Sequence, residues 1–328
     1  MYARECAYWQ RESSMANIDI IKCQGSGNDF ILVDCVADKM LATIDWSGFA
    51  RVACNRERGI GSDGLLLVVR HDDGCYGMDM LNPDGTHAEM CGNGIRCVAR
   101  YAKERGYIGS KGLLRSGGRE YNVSEAEAIG EDIPTYSVDI PIRTSSPDFA
   151  FFGPKGNHLG GRIEALDGEL EFTALNLGNP HIVAKVDTIS LDHLAELGER
   201  VKSLKELFPN GVNVSLYECR GPRNIFVATY ERGAGITLSC GTAMTASATA
   251  SALLGFVERG QRIEVRNRGG KVHCITILGE DIVTRLEGNA SFEWSGVAHF
   301  DDDTFGFEVK AESGEAEVWR RFVESINR

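Results

Sequence analysis

The sequence predicts an α/β protein built from two similar halves. A cysteine followed by glycine and then by a helical pattern occurs at Cys91 and again, 149 residues later, at Cys240. A Gly-Asn turn followed by an apolar strand that ends in aspartate occurs at 27–34 and again at 178–187, an offset of 151 residues. Two independent landmarks with nearly the same offset indicate an internal duplication.

The elements around these landmarks are those of a mixed α/β chain. Strand-forming residues on both sides of the turn at 24–29 predict a hairpin, and residues 95–105 predict a helix. The run 242–254 also predicts a helix. Its Ala, Ser and Thr side chains are too small to face solvent on every side, so we expect a closely packed central helix wrapped by sheet. Two alternating runs, 263–266 and 272–278, predict edge strands.

Composition excludes several classes of function. The net charge of −12 over 328 residues leaves no basic excess for nucleic acid or an anionic membrane. No apolar run approaches the ~18 residues of a membrane span, and no leader pattern is seen. The ten cysteines show no C-x-x-C spacing, which argues against a metal site of the zinc-ribbon kind. We therefore expect no metal and a location in the reducing cytoplasm.

The two cysteine elements suggest acid–base chemistry. A thiol before the first turn of a helix lies near unpaired N–H groups and the positive end of the macrodipole, which favours the thiolate. If the halves face each other, Cys91 and Cys240 approach one ligand from opposite sides. One thiolate could then remove a proton from a carbon while the other thiol supplies one to the opposite face, which inverts a stereocentre.

Residues next to the cysteines complete this hypothesis. The backbone N–H groups of Gly92-Asn93 and Gly241-Thr242 would hold the developing carboxylate charge. His181 and Glu231, each on a turn beside the expected cleft, are candidates to adjust the proton balance of the thiols.

Structural alternatives remain open at each of these positions. An isolated cysteine before a helix is more often structural, and only the repetition favours catalysis at both positions. His181 could be an ordinary hydrogen-bonded histidine, and Glu231-Arg232 a solvated turn pair. A Cys91–Cys240 disulfide would be oxidative damage in a reducing cell. The glycine-rich loop at 24–29 lacks the pattern of a phosphate-binding loop.

The motifs as a set resemble those of the diaminopimelate epimerases, which are cofactor-independent amino-acid racemases with two cysteines. The resemblance covers roughly residues 18–300, in family order. The matching stretches are Gly27-Asn28-Asp29-Phe30, Gly59-Ile60-Gly61-Ser62-Asp63-Gly64, Asn82-Pro83-Asp84-Gly85, Glu89-Met90-Cys91-Gly92-Asn93-Gly94-Ile95-Arg96, Gly178-Asn179-Pro180-His181, Asn213-Val214, Glu231-Arg232-Gly233-Ala234-Gly235 and Cys240-Gly241-Thr242.

The resemblance implies two pseudo-symmetric domains, each a mostly antiparallel sheet wrapped around a central helix. The first would span 17–143 and be joined by a returning strand at about 283–300, and the second would span 144–282. Residues 144–170, rich in Gly, Ser, Pro and Asp, look like an inter-domain region or a decorated hairpin. The remaining 301–328 form an acidic and amphipathic tail, which we expect to be peripheral.

The resemblance also implies an activity and its residues. It implies interconversion of L,L- and meso-diaminopimelate, on the path to lysine and peptidoglycan, without pyridoxal phosphate or any other cofactor. Cys91 and Cys240 would be the catalytic pair, assisted by His181 and Glu231. Arg232 would bind the distal carboxylate of the substrate. The implied substrate-binding residues are Asn28, Asn82, Gly92, Asn93, Asn179, Asn213, Glu231, Arg232, Gly241 and Thr242.

The chain departs from the family pattern at Gly64, where many members have a substrate-contacting glutamine, and at Ile236 and Ala243. None of these departures touches the acid–base pair, but Gly64 leaves substrate specificity open, and one alternative is a racemase of another amino acid, such as histidine, on the same scaffold. A separate alternative is a non-catalytic binder of small molecules. The expected partner is a small-molecule amino-acid substrate, with no nucleic acid and no membrane. A homodimer is left open.

Overall fold

The computed structural model describes residues 15–37, 41, 43–88, 90–146, 148–149, 156–301 and 304–326. Glu89 of the first cysteine motif, part of the predicted inter-domain region (147 and 150–155) and four residues of the predicted tail (302–303 and 327–328) lie outside the described residues.

The first half of the chain contains seven described strands and two described helices. The strands are β1 (Ala16–Gly25), β2 (Asn28–Asp34), β3 (Gly64–Arg70), β4 (Tyr76–Leu81), β5 (Lys111–Ser116), β6 (Arg119–Glu125) and β7 (Thr135–Ile142). The helices are α1 (Trp46–Ala53) and α2 (Gly92–Glu104). The predicted hairpin is confirmed, since β1 and β2 pair antiparallel around the turn.

The second half repeats this series of elements and contains two additional strands of three residues each. Its strands are β8 (Gly161–Ile163), β9 (Asp167–Asn176), β10 (Pro180–Lys185), β11 (Asn213–Gly221), β12 (Asn224–Glu231), β13 (Gly235–Thr237), β14 (Arg262–Asn267), β15 (Gly270–Leu278) and β16 (Ile282–Asn289). Its helices are α3 (Leu191–Ser203) and α4 (Gly241–Leu254). The chain continues through β17 (Ser291–Phe300), β18 (Phe305–Glu312) and α5 (Glu315–Ile326).

Hydrogen bonds join the described strands into one sheet of eighteen. The two halves pair their strands in the same pattern. In the first half β2 lies parallel to β3 and β4 parallel to β5. In the second half β10 lies parallel to β11 and β12 parallel to β14. Each parallel pair is separated in sequence by a helix, because parallel neighbours need a crossover connection. This repeated topology, with the helices α2 and α4, confirms the predicted fold class.

The helices α2 and α4 lie at the centres of the two halves. α2 packs against β1 to β3 and β5 to β7, and α4 packs against β10 to β12 and β14 to β16. Every residue of α4 from Gly241 to Ala252 is buried, as its small side chains predict. The helix ends at Gly255, whose φ of +78° is the left-handed conformation that glycine adopts at low cost.

The structure corrects two expectations. Strands β14 and β15 were expected at an edge of the sheet, but each is flanked on both sides. β14 lies between β12 and β15, and β15 lies between β14 and β16. The tail was expected to be peripheral, but β18 extends the sheet at β17, and α5 buries Trp319 against Gly270. Glu315 of α5 also pairs with Arg100 of α2 at 2.6 Å. Burial of the amphipathic face of α5 adds to these contacts and holds the helix against the sheet.

The last third of the chain runs back to the first. β16 lies between β15 and β7, and β17 lies between β1 and β18. The two halves are therefore joined through strand pairs as well as through the chain. The domain boundaries at 143, 282 and 300 stay a prediction.

Candidate active site

The two cysteines begin the two central helices in nearly identical backbone conformations. Cys91 has φ −129° and ψ 112°, and Cys240 has φ −133° and ψ 109°. Both are free thiols, Cys240 buried and Cys91 half-buried. The first turns of the helices touch, because a Cβ placed on Gly241 would lie 2.6 Å from the Asn93 Oδ1 atom. Two sets of helix N-terminal N–H groups therefore meet, which is a favourable arrangement for an anion.

Cys91 lies among groups that favour its thiolate, but burial acts against them. Its Sγ accepts a hydrogen bond from the Gly94 N–H at 3.4 Å. Burial raises the pKa of the Cys91 thiol to about 11, although the N–H groups of Gly94 and Asn93 and the charge of Arg96 lower it. The helix start therefore favours the thiolate as expected, but the net shift of the Cys91 pKa is upward. Loss of hydration outweighs the helix dipole.

Cys240 lies beside a carboxyl group. Its Sγ is 3.4 Å from the Thr242 Oγ1 atom. Burial raises the pKa of Cys240 well above its ordinary value, and the charge of Glu231 raises it further. Glu231 accepts a hydrogen bond from Thr237 Oγ1 at 2.5 Å. Burial raises the pKa of Glu231 as well, while hydrogen bonds from Thr237 and Cys240 lower it.

His181 connects the second Gly-Asn turn to the second cysteine element. Its Nε2 lies 2.9 Å from Asn179 Oδ1 and 3.1 Å from Thr242 Oγ1. Burial, with the charge of Arg232, lowers the pKa of His181 to about 3, so the ring is neutral at pH 7. Within the described chain its buried Nδ1 has no hydrogen-bond partner. The ring can therefore orient Thr242, which in turn contacts Cys240, but it brings no charge.

The remaining predicted substrate residues fall into two groups: Asn28 and Asn213 contact other predicted site residues, and Asn82 bonds within its own turn. Asn28 accepts a hydrogen bond from Asn93 Nδ2 at 2.5 Å, so the first hairpin meets the first cysteine element. Asn213 lies opposite His181 on neighbouring strands and accepts a hydrogen bond from the Arg232 N–H at 2.8 Å. Asn82 instead bonds within its own turn, where its Nδ2 donates to Thr86 Oγ1 at 3.0 Å.

Arg96 is a residue whose role sequence reasoning missed. Its side chain is fully buried. It donates to the Gly92 carbonyl oxygen at 2.9 Å and to Asn93 Oδ1 at 3.0 Å, the two residues that follow Cys91. It also donates to Ser26 Oγ and to the Asn289 carbonyl oxygen. Among the described residues none of these acceptors is a carboxylate. The sequence motif around Cys91 includes this arginine, but the burial of its side chain depends on residues that are distant in the sequence.

In the part of the chain that the structure describes, no group of three His, Cys, Asp or Glu side chains is arranged to hold a metal ion. Among the described helices, none has the length and apolar character needed to cross a membrane.

Comparison with known proteins gives a consistent result. A family model described as diaminopimelate epimerase matches residues 20–128 and 173–293. A diaminopimelate epimerase of Clostridium acetobutylicum is 38% identical over 295 residues, which cover 89% of this chain and 86% of that protein. One of Listeria monocytogenes is 35% identical over 303 residues, covering 88% and 91%.

Solved structures share the fold at low sequence identity. A phenazine biosynthesis protein of the PhzF family from Bacillus anthracis has a TM-score of 0.61 at 14% identity, covering 86% of this chain and 99% of that one. A hydroxyproline epimerase from Agrobacterium vitis has a TM-score of 0.59 at 16% identity, covering 90% and 94%. At this level of identity the likeness concerns the fold alone.

Proposed function

The chain belongs to the diaminopimelate epimerase family, and on that premise we propose that it interconverts L,L- and meso-2,6-diaminopimelate, on the path to lysine and peptidoglycan precursors. The observation that supports this most directly is the pair of cysteines at two touching helix starts. An epimerase that uses no reactive cofactor needs one proton acceptor and one proton donor on opposite faces of a carbon.

The substrate carboxylate binds where the two helix starts meet. The N–H groups after Cys91 and Cys240 face it, and they stabilise the negative charge that develops when the neighbouring carbon loses its proton. The amide of Asn93 and the hydroxyl of Thr242 lie at the same helix starts and hold the carboxylate in position.

Proton transfer uses both cysteine sulfurs, one as a thiolate that accepts a proton and one as a thiol that donates a proton. A thiolate on one face takes the α-proton, so an S–H bond forms as the C–H bond breaks, and the electron pair passes into the carboxylate. The thiol on the other face then gives its proton to the carbon. After one turnover the thiol and the thiolate have exchanged places, and the reverse reaction uses them in the opposite order. Neither sulfur forms a bond to carbon.

The surroundings of the sulfurs support Cys91 as the thiolate and Cys240 as the thiol at the start of the reaction. Arg96 and two N–H groups favour the negative charge at Cys91. Glu231 acts in the opposite direction, because its carboxylate keeps the proton on Cys240. His181, neutral and bonded to Thr242, orients the hydroxyl next to Cys240.

Deuterium incorporation tests this function. Incubation with L,L-diaminopimelate in D2O should yield the meso isomer with deuterium at one α-carbon, because the proton delivered comes from a thiol that exchanges with solvent. Parallel incubations with histidine and proline measure specificity, and the Cys91→Ala protein is the matched control. Absence of exchange at micromolar enzyme would contradict the proposal. Faster exchange of histidine would mean that histidine is the substrate and that the two-thiol chemistry is retained.

Two broader proposals accompany this function. We expect a cytoplasmic location, since the described cysteines are all free thiols and the function implies an intracellular substrate. Fractionation of the source cells checks it. The homodimer stays a prediction, and light scattering of the purified protein measures the mass directly.

A further inference from the structure

Asp63 is a carboxylate at the start of β3 to which the sequence assigned no role. It precedes Gly64, which lies opposite Phe30 where β2 and β3 pair in parallel. Its N–H donates to the Asp29 carbonyl oxygen at 2.8 Å. The strand pairing therefore brings Asp63 beside Asn28, the first residue of β2.

The Asp63 carboxylate is held at both of its oxygens. Its Oδ2 accepts hydrogen bonds from Asn28 Nδ2 at 3.1 Å and from the Asp29 N–H at 3.2 Å. Its Oδ1 accepts one from Arg56 Nη2 at 2.7 Å, and the same nitrogen donates to Asp29 Oδ1 at 2.8 Å. These hydrogen bonds fix the side chain of Asp63, which presents an acceptor to Asn28.

Asn28 connects this carboxylate to the first cysteine element. Its Oδ1 accepts a hydrogen bond from Asn93 Nδ2 at 2.5 Å. Asn93 Oδ1 accepts one from Arg96 Nη2 at 3.0 Å, and it is also the atom that lies 2.6 Å from a Cβ placed on Gly241. A chain of hydrogen bonds therefore leads from Asp63 to the place where the two cysteine elements meet.

The two ends of this chain determine how both amides are oriented. A carboxylate only accepts hydrogen bonds, and a guanidinium only donates them. Asp63 therefore requires the Nδ2 atom of Asn28 on its side, and Arg96 requires the Oδ1 atom of Asn93. If either amide turned over, two donors or two acceptors would face each other. Each Nδ2 uses one of its two N–H groups within the chain, which leaves the other for a substrate carboxylate.

Asp63 also lies near the second cysteine element. Burial raises the pKa of Glu231, and the charge of Asp63 raises it further. Glu231 lies beside Cys240 and raises the pKa of that thiol. A hydrogen-bond route through Asn28 and a charge route through Glu231 therefore both connect Asp63 with the cysteine elements. Each link of the first route is a direct hydrogen bond.

We propose that Asp63 is a positioning residue of the epimerase reaction, which acts through the amides of Asn28 and Asn93. With Arg96 at the other end of the chain, it keeps one N–H of each amide available to the substrate carboxylate. Donors that are already oriented stabilise the charge that develops during proton removal, because no group has to turn as the reaction proceeds. This inference rests on the proposed function and adds to its site a residue that need not touch the substrate.

A double-variant cycle tests the route through Asn28. The parent, Asp63→Ala, Asn28→Ala and the double variant are compared by kcat/KM for α-deuterium exchange of L,L-diaminopimelate in D2O. We expect Asp63→Ala to lower kcat/KM by about 10-fold, because Asn28 loses the acceptor that orients it. In the Asn28→Ala background the same substitution should change kcat/KM by less than about twofold, since the residue through which it acts is gone.

The cycle distinguishes the two routes. A loss of about 10-fold that persists in the Asn28→Ala background would mean that Asp63 acts through Glu231 or supports the fold around Arg56, and the proposal would be wrong. An Asp63→Ala protein with the kcat/KM of the parent also overturns it. Where the Asn28→Ala protein does not fold, as judged by circular dichroism, Asn28→Ser takes its place, because serine also lacks the amide.

The matched control is Asp34→Ala, at the other end of β2. Asp34 is likewise a half-buried carboxylate of the first half, and it accepts hydrogen bonds from the Val36 N–H and from the hydroxyls of Tyr101 and Tyr107. Urea unfolding should show a loss of stability for this variant, while kcat/KM should stay within about twofold of the parent. Loss of stability alone is thereby separated from loss of positioning.

Binding gives a second measurement of the same cycle. Proteins that also carry Cys91→Ala bind diaminopimelate without turnover, and calorimetry gives their dissociation constants. If exchange by the Asn28→Ala protein is too slow to measure, the same non-additivity is expected in these constants, and additive effects overturn the proposal. A parent that exchanges no diaminopimelate contradicts the epimerase activity itself, and the inference falls with it. An active parent with additive substitutions contradicts only the role of Asp63.

Discussion

The two cysteine elements share a backbone and differ in charge. Five residues after Cys91 stands Arg96, and five residues after Cys240 stands Thr245. Both donate to the carbonyl oxygen of the glycine that follows the cysteine, Arg96 to Gly92 at 2.9 Å and Thr245 to Gly241 at 2.8 Å. The same hydrogen bond is thus made once by a guanidinium and once by a hydroxyl.

Because of this difference, the two cysteine sites differ in electrostatics although their backbones are alike. The cation of Arg96 lies near Cys91, where it lowers the cost of a thiolate, and the carboxyl of Glu231 lies near Cys240, where it raises that cost. The duplicated backbone determines where the two sulfurs lie, and one charged residue beside each sulfur shifts its pKa, downward at Cys91 and upward at Cys240. Substitutions at five residues can break or sharpen this comparison.

The largest effect is expected at the sulfurs. Cys91→Ala and Cys240→Ala should each lower kcat for epimerisation by about 10³- to 10⁴-fold, since each removes one of the two proton carriers. The double variant should be little worse than either single variant, because the carriers act as a unit. Steady-state epimerisation in both directions measures this. Cys75→Ser, a half-buried thiol whose Sγ donates to the Tyr76 carbonyl oxygen, is the control and should keep full activity.

The second effect is expected at Arg96. Arg96→Met should lower the free energy of unfolding by on the order of 3 kcal/mol, because buried oxygens of Gly92, Asn93 and Asn289 lose their donor. It should also raise the pKa of Cys91, which the cation lowers. Urea unfolding and the pH dependence of Cys91 alkylation measure the two effects. Arg96→Lys should restore the alkylation profile more than the stability, and equal profiles for all three proteins would refute the electrostatic role.

The third effect is expected at Glu231, whose carboxyl group lies beside Cys240. Burial and the charge of Glu231 both raise the pKa of Cys240, so Glu231→Gln should move the alkylation of Cys240 to lower pH while burial still keeps it above the ordinary thiol range. We expect kcat/KM to fall by about 10²-fold, as the proton is then held less firmly on Cys240. Mass spectrometry of each alkylated cysteine across pH distinguishes the two sites. A shift at Cys91 alone would reverse the assignment.

The smallest effect is expected at Thr245, the counterpart of Arg96. Thr245→Val removes one hydroxyl hydrogen bond and no charge, so stability should fall by about 1 kcal/mol and kcat should change less than threefold. Urea unfolding and steady-state rates are the measurements. A loss as large as that of Arg96→Met would mean that the hydrogen bond to the glycine carbonyl matters more than the charge.

The sequence predicted what depends on local patterns. The Cys-Gly start of α2 and α4, the hairpin of β1 and β2 and the small-residue helix α4 follow from residues close together in the chain. The direction of the Cys91 pKa shift did not follow from nearby residues, because burial depends on elements that meet only in the folded chain. Nor did the environment of Arg96, since one of its acceptors is the carbonyl of Asn289.

The strand β18 in the tail escaped prediction for a different reason. β18 is exposed along most of its length, so no alternation of buried and exposed side chains marks it as a strand. Its partner β17 supplies the hydrogen bonds that form it.

The return of β16 and β17 to the first half has a consequence for synthesis on the ribosome. β1 leaves the ribosome early, yet one of its edges stays unpaired until β17, which ends at Phe300, has been made. β7 waits in the same way for β16. An open strand edge invites pairing with other chains, and contacts between residues so distant in sequence form slowly. The half of the protein that is made first is therefore the half that is completed last.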